Sequence, residues 1–446
     1  MELYNYLGHN KYSTSAFCIV LDLPIDLTNF KNGLNDHQFA LYLHEYIHFL
    51  QDISTIYGLM KFSNILLYTK AQASYAVKKR YKKIKIPAHA PSDSHSYSYV
   101  KRNYDMFQLY RGDGVNSLSQ HFDKHSITIK QIKEVSNLKP SNNETIKTLQ
   151  ITIEDQNGTT NTVCFGGEII CENMASLAER EYLKNKQLLP SKTTEYPYYL
   201  AEKLAEFIYP EIASLSKEWL FWIMDLCLSK SFNPGYVFFL LIKDLKDNSF
   251  VKAPTNEKLL AIFDKIINGG KYTLMEIHKE ILDELDQIFR LPMFDGNKDW
   301  LKVEFERIRF LRQDSQIMRS FMQYKKTELS RMARVIMDML GHPTVKNDIS
   351  EAIIQPPARA LKFHQVTNLC LWYFEAYKEV FSALNIPHYK CQMYKDCVRS
   401  KIIDKEILNT KVCPEQQKIY NTTSSMALCP FGVFWKSLGL WGKKPI

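Results

Sequence analysis

Residues 41–50 place three polar side chains in an otherwise apolar stretch. The apolar residues recur on every side, which predicts a helix that is buried around most of its circumference. His44 and His48 stand four residues apart, so on a helix both imidazoles project from one face toward one point. Glu45 lies about 100° further round the helix. Buried polar groups without partners are costly, so this helix requires partners or a ligand for all three.

Two neutral imidazoles on one helix face supply half of a tetrahedral zinc site. A zinc ion lowers the pKa of a water molecule toward about 7, and Glu45 beside the ligands can take the proton. This His-Glu-x-x-His pattern would occur about 0.02 times in a random chain of the same composition. The alternative interpretation is a pair of core histidines with ordinary hydrogen-bond partners.

The motif resembles that of the zincin metallopeptidases, whose branches differ in the third zinc ligand. The metzincin branch requires a Gly and a third His soon after the second His. This chain has Gln51 and Ser54 at those positions, which excludes that branch. The gluzincin branch takes a Glu from a later helix, often in a Glu-x-x-Ala setting, and Glu172 followed by Ala175 fits that form.

The resemblance implies zinc ligands at His44, His48 and Glu172, with Glu45 as general base. Small residues at 175, 176 and 178 would let two helices cross closely enough for a Glu to reach the metal. Glu168 and Glu179 share the helix face of Glu172 and stay open as alternative ligands.

Further zincin features have several candidates in this sequence. Well-known gluzincins place an Asp four residues after the ligand Glu, where this chain has Ser176, so Asp52 is a candidate to orient an imidazole instead. The family commonly binds a peptide along a sheet edge beside the motif helix, and the strand at 15–23 or one hairpin strand is a candidate edge. The oxyanion donor is typically His or Tyr, but 26 tyrosines and His364 leave that choice open.

The pattern along the chain predicts a mainly α fold with a small N-terminal β-sheet. With 16 glycines and 17 prolines among 446 residues, the chain is poor in helix breakers. Strands are predicted at 15–23 and in a hairpin at 147–165, and nearly all of the chain after 190 is predicted as helix. We expect an α+β zincin-like core in residues 1–190 with an irregular insertion at about 86–145, a helical domain in 191–345 and a C-terminal helical module in 346–446.

Composition predicts a cytoplasmic globular protein without a membrane partner. Hydrophobic residues make up 45% of the chain, no apolar run approaches the length of a membrane span, and the start lacks the pattern of a signal peptide. The net charge of +9 is mild. Basic residues cluster at 78–85, where a solvated helix end and a nucleic-acid or acidic-surface patch are the two interpretations. The helical half offers a surface for a protein partner.

Four of the nine cysteines fall between residues 391 and 429, a roughly fivefold enrichment. They are Cys391, Cys397, Cys413 and Cys429. One interpretation is a second, structural zinc that closes a C-terminal module, with His388 as a substitute ligand. Unliganded buried thiols and disulfides are the alternatives, since the spacings match no standard zinc knuckle.

The sequence therefore favours an intracellular zinc-dependent metallopeptidase that cleaves a protein or peptide by attack of metal-activated water. A helical interaction or nucleic-acid-binding protein with a structural zincin core is the alternative from a different class, and metal-dependent hydrolysis of a non-peptide bond is a third. Intracellular bacterial proteins of this general type include toxin-like and phage-exclusion peptidases, which is an analogy at the level of fold.

Overall fold

The computed structural model describes residues 11–23, 34–78, 82–88, 95–114, 118, 121–138, 145–190, 194–248, 256–267, 273–313, 318, 320–323, 343–347, 351–353, 369–393, 397, 413–421 and 429–446. Helices dominate these residues and small sheets accompany them, which confirms the predicted mainly α fold class. No helix within these ranges is both long and apolar enough to cross a membrane.

Four long helices lie in the N-terminal part. They are α1 (Asp36–Ser54), α2 (Ile56–Lys78), α3 (His95–Arg111) and α4 (Gly167–Asn185). The following helices are α5 (Leu200–Ile208), α6 (Lys217–Lys230), α7 (Pro234–Asp247), α8 (Asn256–Ile267), α9 (Leu274–Ile288), α10 (Asp295–Gln313) and α11 (Ser320–Gln323). The C-terminal helices are α12 (Leu369–Asn385), α13 (Pro414–Asn421) and α14 (Pro430–Ser437). Short 3-10 turns lie at Pro210–Ser214 and Pro292–Phe294.

Strands from distant parts of the chain form three small sheets. The first has the order β1 (Lys11–Ser13), β2 (Cys18–Val20), β7 (Thr344–Lys346) and β8 (Glu351–Ile353). The second is the antiparallel set β4 (Ile127–Leu138), β5 (Thr145–Asp155) and β6 (Thr160–Phe165). The third pairs β3 (Lys83–Ile84) with β9 (Lys444–Pro445).

The predicted hairpin at 147–165 is confirmed as β5 and β6, which pair antiparallel around a turn that ends at Gly158. The prediction of an irregular insertion at 86–145 is wrong for its described residues, which include α3 and β4. Strand β4 pairs with β5 along its length. The hydrogen bonds to this neighbour stabilise β4 although its own sequence has only a weak strand pattern. Helix α3 is anchored by aromatic contacts, including Tyr104 stacked on Tyr68 with ring centroids 4.3 Å apart.

One aromatic cluster joins residues that the sequence assigned to three domains. The Phe17 ring lies edge-on to Phe62 and Phe374, with centroids 5.2 and 5.1 Å away. It also contacts Phe49 of α1 and Trp300 of α10. These rings belong to one continuous hydrophobic core. The proposed boundaries at 190 and 345 remain predictions, although buried contacts cross both of them.

The C-terminal residues pack back onto this core. Phe434 of α14 stacks on Phe294 with centroids 4.5 Å apart and contacts Phe289 edge-on. Strand β9 lies beside β3, so Lys444 neighbours Lys83 of the basic cluster. The described lysines 78, 82, 83 and 85 of that cluster are exposed, and its binding to nucleic acid remains a prediction.

Helices α1 and α2 are separated by a sharp break at Thr55. The Thr55 hydroxyl donates to the carbonyl of Gln51 at 2.6 Å and accepts from the backbone N–H of Gly58 at 3.0 Å. At Gly58 the two helices meet so closely that a Cβ atom would lie 2.2 Å from the Gln51 carbonyl oxygen and 2.5 Å from the Asp52 Cα. Only glycine therefore fits this position without moving backbone.

We expect Gly58→Ala to lower the free energy of unfolding by about 2 kcal/mol or more, because the added methyl group overpacks rigid backbone. Gly114→Ala is the matched control, since its Cβ would have no neighbour nearer than 3.9 Å. Urea denaturation of both variants measures the difference. An equal, small effect of the two substitutions would contradict the close approach at Gly58.

Candidate metal centre

The structure brings His44, His48 and Glu172 to one point between α1 and α4. The Glu172 Oε2 atom lies 3.6 Å from His44 Nε2 and 3.4 Å from His48 Nε2. Within the part of the chain that the structure describes, these three form the group of metal-ligating side chains whose ligand atoms all lie within 4.8 Å of one another. A tetrahedral site with bonds near 2.1 Å separates its ligand atoms by about 3.4 Å. The observed distances fit that geometry.

Small side chains let the two helices approach each other at this point. Ala175 and Ser176 of α4 are completely buried and Ala178 is nearly so. Helix α4 packs along α1, and its polar face carries Glu172 toward the histidines. Ala175 and Ser176 follow Glu172 by three and four residues, so they share its helix face, and their small size is compatible with the close approach of Glu172 to both imidazoles.

Hydrogen bonds to the other ring nitrogens fix both histidines. Glu179 Oε2 lies 3.0 Å from His44 Nδ1, and Gln51 Oε1 lies 2.9 Å from His48 Nδ1. A carboxylate can only accept, so His44 carries its proton on Nδ1. The Gln51 amide nitrogen donates to the Cys171 carbonyl, which turns its oxygen toward His48. Both Nε2 atoms therefore face Glu172. They carry protons toward the carboxylate in the metal-free site, and a metal ion would replace those protons.

The other candidate carboxylates have different roles. Glu168 accepts from Lys61 and Tyr57, each at 3.2 Å, and therefore belongs to an ion-pair cluster away from the imidazoles. Asp52 accepts from the Ser15 backbone N–H at 3.1 Å, so the suggestion that it orients an imidazole is not supported. The orienting carboxylate is Glu179, which the sequence analysis had considered only as an alternative ligand.

Burial and charge shift the pKa values of the site in opposite directions. Burial raises the pKa of Glu45, and the charges of His44 and His48 oppose that effect. Burial alone would raise the pKa of Glu172, but the neighbouring imidazoles hold it well below its usual range. Burial would lower the pKa values of both histidines, yet the contacts with Glu172 raise them overall. Without a metal, the site is a buried ion pair.

Glu45 lies beside this group and is 7% exposed. The backbone of Tyr12 in β1 lies close enough to its carboxylate to favour the charged form. The base position predicted from the motif is therefore next to the edge of the first sheet. The strand predicted at 15–23 corresponds to β2, which is flanked by β1 and β7 and is not an edge. Among the described strands of this sheet, β1 and β8 are the outer ones.

Tyr198 is a site residue that the sequence analysis did not select. Its ring lies edge-on to His44 with centroids 5.8 Å apart. Burial raises the pKa of Tyr198, and the charges of Glu172, Glu45 and Glu179 raise it further, so its hydroxyl keeps its proton. The segment that carries it precedes α5 and is held by a hydrogen bond from the Tyr196 backbone N–H to the Lys124 carbonyl. No local motif marks this position.

A scan against protein-family models, a search of curated proteins and a search of solved structures each gave no significant match.

The ion-pair character of the site predicts a pH dependence for the metal-free protein. The raised pKa values of His44 and His48 stabilise the fold fully below their ordinary value near 6.5, and this contribution is lost as the pH rises through the folded-state values. The depressed pKa of Glu172 contributes above its ordinary value of 4.5 and is lost at lower pH. Stability in a chelator should therefore fall as the pH rises above about 6.5.

Denaturant titrations of chelated protein between about pH 5 and 9 measure this decline. The Glu172→Ala variant removes the main charge that raises both histidine pKa values, so its decline should be smaller. An equally steep decline in the variant would contradict the assigned ion pair.

Proposed function

We propose that this protein is a zinc-dependent metallopeptidase that hydrolyses a peptide bond in a protein or peptide. The observation that carries the proposal is the Glu172 carboxylate at 3.4 and 3.6 Å from two imidazole nitrogens whose rings are fixed by other partners. Beside it stands Glu45, a buried carboxylate that is free of the metal-ligand role. The resemblance of the motif to zincin peptidases supports the same reaction.

His44, His48 and Glu172 would hold the ion, and they fit zinc by ligand type and spacing. Two imidazoles and one carboxylate form the donor set of known catalytic zinc sites, which keep a fourth position open. When bound there, zinc supplies positive charge that acidifies water and polarises a carbonyl group. The side chains are 12–19% exposed, so the site is shielded but not sealed from solvent.

Glu45 would move the proton. Burial raises its pKa above the ordinary value, which suits a carboxylate that must first accept a proton from water and then return it to the leaving amine. The nearby backbone of Tyr12 favours the charged form of the carboxylate, which is the form that accepts the proton. Its position on α1, one residue after His44, keeps it beside the ligands.

Tyr198 would stabilise the oxygen that becomes negatively charged during attack. Its ring lies against His44, and the carboxylates nearby keep its hydroxyl protonated and able to donate. A donor of this kind acts most strongly in a buried site, where water does not screen it.

The position of strand β1 supports the proposal that the substrate is a peptide or protein. Strand β1 is an outer strand of its sheet among the described residues, and its Tyr12 backbone lies close to the Glu45 carboxylate. An extended segment that adds to the outer side of β1 would run past the proposed base, with its backbone held by strand pairing. Recognition through backbone suits a protein or peptide better than a small molecule.

Glu45→Gln should abolish proteolysis while the metal content stays unchanged, because the amide cannot accept the proton. Cells that express wild type or the variant can be compared for new protein N-termini, and the purified proteins for zinc. Glu181→Gln on α4 is the matched control, since Glu181 pairs with Lys184 at the surface. New termini that persist in Glu45→Gln at the wild-type level would refute the role of Glu45.

Tyr198→Phe should lower kcat on a peptide identified in that comparison by about 10²–10³-fold and leave KM and zinc content nearly unchanged. Tyr199→Phe is the control, because the Tyr199 ring contacts the Arg180 guanidinium through its face and needs no hydroxyl for that contact. If kcat is unchanged in Tyr198→Phe, as it should be in Tyr199→Phe, Tyr198 has no role in the reaction.

A further inference from the structure

The four C-terminal cysteines lie around one cavity, although they come from separate stretches of the chain. Each is 4–8% exposed, and none forms a disulfide. The cysteines that line the cavity are Cys391, Cys397, Cys413 and Cys429. His388, which the sequence offered as a substitute ligand, is exposed and does not line the cavity. Folding has therefore gathered four thiols, none of them in a disulfide, around this space.

Backbone amides near three of the four sulfur atoms favour the charged form of the thiol. The donors are Met393 to Cys391, Glu415 and Gln416 to Cys413, and Phe431 and Gly432 to Cys429. Each donor lies two or three residues after its cysteine. An N–H group directed at sulfur is a weak interaction with a neutral thiol and a strong one with a thiolate, because a charged acceptor strengthens the bond. Burial raises the pKa values of Cys391, Cys413 and Cys429 above the ordinary thiol value, and these amides oppose that rise.

Two of these cysteines also precede helices in the same way. Cys413 comes directly before Pro414 of α13, and Cys429 is the N-cap before Pro430 of α14. Proline at the first helical position has no N–H, so the next amides are the ones that face the sulfur. The partial positive charge of a helix N-terminus favours a thiolate at this position.

We propose that this cavity binds a structural zinc ion through Cys391, Cys397, Cys413 and Cys429. Each thiol would lose its proton to solvent on binding, and the resulting tetrathiolate would be stabilised by the five amide donors and the two helix N-termini. The sulfur atoms are spaced more widely than the ligand atoms of the first centre. The ion would draw them to about 3.8 Å, the edge of a tetrahedron with Zn–S bonds of about 2.3 Å.

The other residues that line the cavity are either apolar or already bound to other partners, so sulfur is the remaining metal ligand. Met393, Pro430 and Phe431 provide apolar walls. The Glu415 carboxylate is engaged with Lys418 at 2.7 Å, and the Gln416 side chain accepts from the Cys391 N–H and donates to the Tyr420 hydroxyl. The amide of Gln416 therefore ties two of the cysteine-bearing stretches together.

The ion would cross-link the chain between α12 and α14. Helix α14 packs on α12 and inserts Phe434 among core aromatic rings. The stretch between these helices has few large buried apolar residues among its described positions. A zinc ion held by three stretches would supply the stability that a hydrophobic core does not provide there.

The test uses the full-length His44→Ala/His48→Ala variant, which removes the centre on α1 and α4 and keeps every cysteine. After purification under reducing conditions, elemental analysis should find one zinc per chain. Growth or refolding with cobalt in place of zinc should give the intense near-ultraviolet absorption of thiolate-to-cobalt charge transfer. A folded variant that holds no zinc and shows no such absorption overturns the proposal.

Cys413→Ser/Cys429→Ser in an otherwise wild-type chain gives the reciprocal test. Its zinc content should fall by one per chain, with loss of the cobalt–thiolate absorption, while Cys164→Ser, a half-buried cysteine on β6, should keep the wild-type content. Unchanged zinc and absorption in the double cysteine variant would also overturn the proposal. If that variant does not fold, the histidine variant still decides, because its cysteines are intact.

Discussion

The contact between Glu172 and two imidazoles is the interaction on which the arrangement of α1 and α4 depends. A carboxylate and two histidines are largely removed from water at the crossing of these helices, which is costly unless opposite charge or a cation compensates. In the absence of a cation, proton uptake by the imidazoles provides that compensation and raises their pKa values. A divalent ion would replace the protons with a charge that all three ligands share. Burial of these three side chains costs free energy of desolvation, and it also strengthens their attraction for a cation.

A second layer of polar contacts holds the ligands in position. Glu179 and Gln51 fix the two imidazole rings, and the Gln51 side chain is itself held by the backbone of α4. Further along α4, Glu168 is bound by Lys61 and Tyr57. The Glu179 and Gln51 contacts connect α1 with α4, whereas Lys61 and Tyr57 tie α4 to α2. This rigidity is what allows Glu45 to stay beside the ligands without becoming one of them.

The sequence predicted what depends on local pattern. The motif helix, the hairpin before α4 and the approach of Glu172 all follow from periodicity, turn residues and small side chains. It did not predict strand β4, whose formation depends on pairing with β5, or the parallel pairing of β2 with β7 across more than 300 residues. Glu179 and Tyr198 were missed as functional partners for the same reason. Their roles arise from the relative placement of elements, and no local spacing encodes that placement.

Crystallography of the zinc-loaded protein, with anomalous diffraction at the zinc edge, would locate the ion relative to α1 and α4. We expect an anomalous peak between α1 and α4, about 2.0–2.2 Å from His44 Nε2, His48 Nε2 and a Glu172 carboxylate oxygen. A fully loaded crystal with no peak at that position, or with Glu172 turned away from the ion, would contradict the account.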